Sequence, residues 1–351
     1  MYRTNTWPTL AASRDSANAS RASVALLLLM TALTAFSQNT RWEYQLPFYG
    51  FADNREYFNT VHPPQTIFGA RLSPEAGFAF DTTHRVRTGM HLTKEFGSLE
   101  DSYLTNLILY YHYQTASTEL LMGLFPRQGR TDNFPLFLLN DTLRYFRPNM
   151  EGVYLSKRFR NGFQSAWIDW TSRQTNTERE TFLAGFHGRI NSGRFFFENY
   201  FTLYHFAAPI IPIPDDHLRD NAALMLRLGV DATRKSGPDS LTFHASWLAS
   251  FDRLRSVYDW RTPSGIQLGF YVAEKNLFLN TVFYTGQSQS VAFGDSFYKA
   301  KTYARADMGW NLIHHQSVQV RFIFSLHYVE KSLDTQQLLT VTVPVGKSHR
   351  P

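Results

Sequence analysis

From Asn221 to Asp231 the chain reads NAALMLRLGVD, and taken at alternate positions it separates into two sets. Ala222, Leu224, Leu226, Leu228 and Val230 are all apolar, whereas Asn221, Ala223, Met225, Arg227, Gly229 and Asp231 include charge. A strand sends successive side chains to opposite faces, so the stretch predicts a strand with one greasy and one wet side. The pattern recurs. In QSVQVRFIFSLHY (316–328), Val318, Val320, Phe322, Phe324, Leu326 and Tyr328 oppose Ser317, Gln319, Arg321, Ser325 and His327. In KAKTYARADMGWNL (299–312), Lys299, Lys301, Arg305 and Asp307 share the wet side; in 85–93 it is Arg85, Arg87 and His91. Repeated alternating runs of about 10 residues are the signature of barrel strands.

Sixteen segments qualify, near 41–48, 66–80, 85–94, 103–113, 118–126, 149–158, 162–171, 180–190, 193–206, 220–233, 239–250, 263–273, 276–286, 299–312, 315–328 and 334–345. The first is short and holds Pro47, so fourteen strands is the alternative count. Alternate connections are tight, such as Asp81-Thr-Thr-His84, Asn191-Ser192, Glu274-Lys275 and Ile313-His314. Those between them are mostly long: 49–65, 128–148, 207–219, 251–263 and 287–298. Consecutive hairpins with one quiet and one elaborate end predict an all-β, antiparallel up-and-down transmembrane barrel with short periplasmic turns and longer outer loops. Closure also removes the open sheet edges so many strands would leave. Trp42, Phe80, Tyr103, Tyr113, Trp170, Phe206, Trp247, Trp310 and Tyr328 fall near predicted strand ends on outward faces, as interfacial aromatic girdles do.

Composition sharpens this picture. Phe, Tyr and Trp make up 16% of 351 residues, yet mean hydropathy is -0.30, which suits two-sided strands and not a bundle of apolar helices. One apolar run, Val24 to Ala35, follows Arg14 and Arg21 and ends in Phe36-Ser37-Gln38. It predicts a secretory leader over residues 1–37, with a barrel domain over 38–351. Its long basic segment allows a start codon downstream of Met1. Cysteine is absent, which excludes disulfides, thiolate metal sites and Cys nucleophiles. The net charge of +6 includes Arg3, Arg14 and Arg21 less Asp15 in the leader, and the rest is scattered, so no nucleic-acid partner is expected.

With the leader ending Ser37-Gln38, strands such as TIFGARLSPEAGFAF (66–80) and the loop rhythm, the chain resembles the porin-like outer-membrane β-barrels of Gram-negative bacteria over residues 41–345. It also resembles, without a defining motif, the channels that export acidic polysaccharides. The resemblance implies a place in the outer membrane and contact with membrane lipid and lipopolysaccharide. It further implies insertion by dedicated machinery and a possible homo-oligomer. One departure is the end of the chain, TVTVPVGKSHRP, where such barrels usually finish on an aromatic residue.

Sixteen strands enclose a lumen wide enough for water. The pore-lining residues expected are Arg71, Glu75, Arg85, Arg87, Arg227, Asp231, Lys299, Lys301, Arg305, Asp307 and Arg321. Their basic excess predicts weak anion preference; pairing of Arg71 with Glu75 and of Arg305 with Asp307 is the blander reading. Phe134, Leu136, Phe137, Leu138 and Leu139 are too apolar for an outer loop in water, and are expected to fold inward as a constriction or pack on the rim. Asp215-Asp216-His217 is the one cluster that tempts an enzymatic reading, but three adjacent loop residues promise no held geometry. No catalytic residue, metal ligand or cofactor is therefore expected. The sequence points to a non-enzymatic channel for passive diffusion of small hydrophilic solutes. The alternatives are a loop-plugged structural or surface barrel, an export-type channel and, last, a rim hydrolase.

Overall fold

The structure, a computed structural model, describes residues 40–58, 60, 62–98, 104–211, 213–234 and 237–347. The predicted leader, Gln38 and Tyr103 lie outside these residues.

Sixteen antiparallel strands close into one barrel. β1 comes in two pieces, Arg41–Gln45 and Phe48–Glu56, and so does β2, Gln65–Leu72 and Glu75–Ala79. Then follow β3 His84–Glu95, β4 Leu104–Gln114, β5 Thr118–Pro126, β6 Asn149–Phe159, β7 Gly162–Ser172 and β8 Thr181–Ser192. The second half contains β9 Phe195–Phe206, β10 Arg219–Asp231, β11 Ser240–Leu254, β12 Ser264–Glu274, β13 Leu277–Gly286, β14 Thr302–His315, β15 Val318–Val329 and β16 Ser332–Val343. Each strand pairs with the next, and β16 returns to β1 with Gln337 opposite Asn54.

The first strand is longer than the sequence suggests. Pro47 removes one donor, but its carbonyl accepts from Ser73 N–H at 2.9 Å, and Leu46 N–H donates to Val345 O at 2.6 Å. The ladder is bridged across the kink, and β1 continues to Glu56. β14 and β15 start three residues later than expected, at Thr302 and Val318. Asp295 caps a short 3-10 turn, Ser296–Lys299, by accepting from Phe297 N–H, and this keeps Lys299 out of the strand. The connection expected over 251–263 is partly strand, since β11 runs on to Leu254 and pairs with Tyr258–Arg261.

The two faces follow the alternation in the sequence. On β10, Leu228 is 66% exposed on the outside and Met225 is fully buried inside. Trp42, Trp170, Trp247, Trp310 and Tyr328 are all exposed on the outer wall, although Trp247 sits halfway along β11 and not at a rim. Phe206 turns the other way, onto the inner face at the end of β9, where the Arg179 guanidinium lies 4.6 Å from its ring. Gly123 and Gly152 oppose each other on β5 and β6. Gly123 adopts φ +125°, and a Cβ there would lie 2.3 Å from Leu109 O, so only glycine allows the wall to run so tightly at that point.

A charge on the lipid face tests the assignment. Leu226→Arg, near the middle of β10, should cost about 2–4 kcal/mol in urea unfolding from lipid vesicles; an unchanged midpoint would place this face away from lipid.

Candidate functional site

β5 stops at Pro126, and the chain then enters the lumen before rejoining the wall at Asn149. Arg127 pins the neck of this loop. It is 3% exposed and pairs with Asp169 on β7, which is fully buried. Its Nε donates to Arg147 O at 3.0 Å and its Nη2 to Asn149 O at 3.1 Å, so one guanidinium ties the loop's two ends to the wall.

Inside, the apolar run packs as a core. Phe134 makes edge contacts with the rings of Trp167, His187 and Tyr200, at centroid distances of 5.7, 5.8 and 5.8 Å. Phe137 and Leu138 are fully buried, Leu139 nearly so, and Leu136 half-buried. The short helix α1, Thr142–Phe146, adds Leu143 to the same cluster, and Tyr145 OH donates to Asp53 on β1 at 3.2 Å. A second loop, between β13 and β14, meets the first from the opposite wall. Asn140 N–H donates to Phe293 O, and Asp295 N–H donates to Leu136 O, both at 2.7 Å. Phe137 lies 5.3 Å from Tyr298 of that second loop. The two loops together pack side chains across the middle of the lumen, and a cavity of about 720 Å³ bordered by Glu75, Arg85, Arg87, His91 and Arg158 remains beside them.

The inward charges are largely consumed in pairs. Arg87 lies 2.6 Å and Arg85 3.4 Å from Glu43, Arg189 and Arg227 flank Glu198 at 3.0 and 2.9 Å, and Arg305 lies 2.5 Å from Asp307. Arg71 and Glu75 do not pair; Glu75 instead accepts from Tyr110 OH at 3.2 Å. Asp231 ends β10 and accepts from Thr233 N–H. Lys299 and Lys301 are exposed on the β13–β14 loop, and Arg321 is exposed near the short-turn end of β15. Asp216 pairs with Arg179 of the β7–β8 loop at 2.6 Å, which holds its carboxyl below the usual range. The Asp215-Asp216-His217 triplet is thus a loop tether.

At the long-loop end, above the buried loop, lies a cavity of about 240 Å³. Here His62 and Ser296 meet, with Ser296 Oγ 2.7 Å from His62 Nε2 and 3.2 Å from Nδ1, so the hydroxyl lies alongside the ring and not in line with either nitrogen. Asp295 Oδ1 lies 3.3 Å from the same nitrogen, so the carboxylate sits beside the hydroxyl and not on the far side of the ring. Arg55, held by Asp53, and Arg305, held by Asp307, line the cavity with Asn140, Asp141 and Thr142. Burial alone would raise the Asp295 pKa, but hydrogen bonds from His62 and Phe297 N–H and the charges of His62 and Arg305 hold it below its ordinary value. The arrangement brings a hydroxyl and an imidazole, groups that can serve as nucleophile and base, into one cavity with two guanidinium groups nearby. His62, Ser296 and Asp295 were not among the expected site residues. They lie in two loops, with His62 and Ser296 234 positions apart and in no motif.

A closed sixteen-stranded wall with an apolar outer face defines an outer-membrane β-barrel protein. The chain belongs to the lipid A 3'-O-deacylase-type family, whose model matches residues 35–343. Among solved structures it is similar in fold to a loop-deletion mutant of OmpT from Vibrio cholerae (TM-score 0.54, 9% identity, 87% of this chain and 99% of that one). It is likewise similar to the trimer form of OmpT from the same organism (0.53, 8%, 88% and 100%) and to OccK11 from Pseudomonas aeruginosa (0.50, 12%, 88% and 96%). No curated protein matches it. The expectation of a non-enzymatic chain is overturned by the family, which is one of enzymes. The sequence reading looked for local signatures such as GxSxG, whereas a closed barrel brings residues together from distant loops.

Two outcomes follow. Arg127→Ala should cost about 3–5 kcal/mol in unfolding free energy, since it strands Asp169 without a counter-charge; a change within about 0.5 kcal/mol would show that the neck does not depend on the pair. For Asp295, the lowered folded pKa means its stabilisation is fully present above the ordinary value of 3.8 and is lost as pH falls below it. Protection from hydrogen exchange in 289–301, taken relative to the intrinsic amide rate at each pH, should therefore hold down to about pH 5 and fall only below about 4, with Asp295→Asn removing that low-pH fall.

Proposed function

We propose that the protein is an outer-membrane deacylase that cleaves an acyl ester of a lipid A-type molecule at the long-loop mouth of its barrel. The observation that carries this reading is the Ser296–His62 contact, with the hydroxyl 2.7 Å from Nε2 and 3.2 Å from Nδ1, in a cavity at the long-loop end of the barrel. Family membership supports it, because an O-deacylase needs a nucleophile and a base within reach of the leaflet that holds its lipid.

In this reading neutral His62 turns within the cavity to aim one ring nitrogen at Ser296 and takes the proton of Ser296 Oγ as the oxygen attacks the ester carbonyl. Arg55 or Arg305 faces the negative charge that grows on the carbonyl oxygen. The C–O bond to the sugar then breaks, and the His62 proton passes to the departing sugar oxygen. Water, deprotonated by the same imidazole, cleaves the acyl-serine to release a fatty acid and restore both residues. Asp295 acts by seating the Ser296–Lys299 turn and by facing the imidazolium, not by selecting its tautomer. The leader at 1–37 would deliver the chain to the export route this location requires.

A passive channel for small hydrophilic solutes is the second reading, favoured by the sixteen-stranded wall and its polar inner face. The side chains packed across the lumen and the pairing of its charges speak against open, anion-selective flow.

Refolded chain in vesicles containing lipopolysaccharide should release fatty acid, and His62→Ala or Ser296→Ala should lower the rate about 10²–10⁴-fold with the fold intact. No release from folded protein, or full activity in both variants, would sink the deacylase reading. Discrete conductance steps in a planar bilayer would restore the channel.

A further inference from the structure

Most of the inward arginines are neutralised, and among those that are not, Arg71 and Arg321 border one cavity. Arg71 is 5% exposed, yet among the described residues no carboxylate lies within 4.0 Å of it. Its Nη1 donates to Arg144 O at 2.9 Å, and its guanidinium carbon stands 5.2 Å from the centre of the Tyr49 ring. Burying a cation without a counter-charge is costly, and a protein that retains one commonly has an anion to place beside it.

Arg71 borders a cavity of about 380 Å³ that it shares with Tyr49, Arg144, Asn311, Arg321 and Thr340. Arg321 makes no ion pair among the described residues and donates from Nε to Asn311 Oδ1 at 2.8 Å. Arg144 reaches Asp141 only at 4.0 Å and spends Nη2 on the Asp132 carbonyl. The carboxylate in the lining, Asp132, is engaged by Gly129 N–H at 2.6 Å. Three guanidinium groups therefore surround one cavity with little to answer them. Guanidinium groups bind planar or tetrahedral oxyanions through paired N–H donors, and neighbouring Thr340 and Asn311 supply neutral partners.

We propose that this cavity is a binding site for a small oxyanion, carrying phosphate or carboxylate, reached from the short-turn, periplasmic end. Its walls are the turn-side parts of β14, β15 and β16, below the lumen-filling loop, so it is separate from the His62–Ser296 mouth. Arg71 and Arg321 belong to the wall, whereas Arg144 belongs to α1 in the inserted loop. An anion here would bridge wall and loop and hold the loop seated from beneath.

The test is calorimetric titration of the refolded full-length chain in detergent, at fixed ionic strength in chloride, with inorganic phosphate and separately with acetate. Either anion should bind once per barrel, and Arg71→Gln should weaken it about tenfold or more. Arg321 is exposed, so Arg321→Gln should fold normally and weaken the same anion, which keeps the test valid if the Arg71 variant fails to fold. Tighter phosphate would identify a phosphate-bearing ligand; tighter acetate would identify a carboxylate such as a released fatty acid. Failure of both anions to bind folded protein, or wild-type affinity in both variants, would overturn the site. Fatty-acid release is measured separately, so the two proposals stand or fall independently.

Discussion

The Arg127–Asp169 pair is the constraint from which the interior of this barrel follows. Both partners are buried, and such a pair depends on further hydrogen bonds to offset the loss of water. Arg127 gives Nε and Nη2 to the carbonyls of Arg147 and Asn149 and leaves Nη1 buried without a hydrogen-bond partner among the described residues, while Asp169 accepts from Glu151 N–H at 2.9 Å. The effect is to bind the exit of β5 to the entry of β6 and to fix where the loop between them points. Once its neck is set against β7, an apolar run of six residues has one place to go that avoids water, the lumen.

That placement gives the barrel two apolar surfaces with different partners. The outer face meets lipid, which requires only that side chains be apolar. The inner cluster must pack, because voids between side chains cost dispersion contacts. Hence the interior gathers rings in specific edge and stacked arrangements, such as Phe134 among Trp167, His187 and Tyr200, or Phe297 stacked on Tyr303 at 5.2 Å. The filled middle divides the lumen into an outer mouth and an inner vestibule with separate chemistry.

Much of the wall was legible in the sequence, because the period of two and the short–long rhythm of turns are direct products of strand geometry and sidedness. The apolar loop at 134–139 was legible for the same reason: six apolar residues in an outer loop contradict their surroundings. Boundaries slipped where a local hydrogen bond overrode the alternation, as at the Asp295 cap, or where a neighbour compensated for a proline, as at Pro47. The site was not legible. His62 and Ser296 are ordinary polar loop residues until two loops fold over one lumen, and no spacing records that meeting. The pairing of Arg71 with Glu75 was reasonable from their spacing on one face, but Tyr110 reaches Glu75 from β4, two strands along the wall, and leaves the arginine to other company.

Among the described residues, the seam where β16 meets β1 is the one strand pairing that joins residues far apart in sequence, with Asn54 and Gln337 separated by 283 positions. Every other strand pairs with its sequence neighbour, so assembly can proceed locally along the wall until this final join. Until then the half-built sheet offers two open edges, each a template for pairing with another chain. A nascent molecule is therefore at its most vulnerable just before its last strand arrives, and shortening the C-terminus would leave an unclosed sheet and not a smaller barrel. Beyond β16 the chain pairs once more, setting Lys347 opposite Tyr44, so both pieces of the kinked first strand take part in the closing seam.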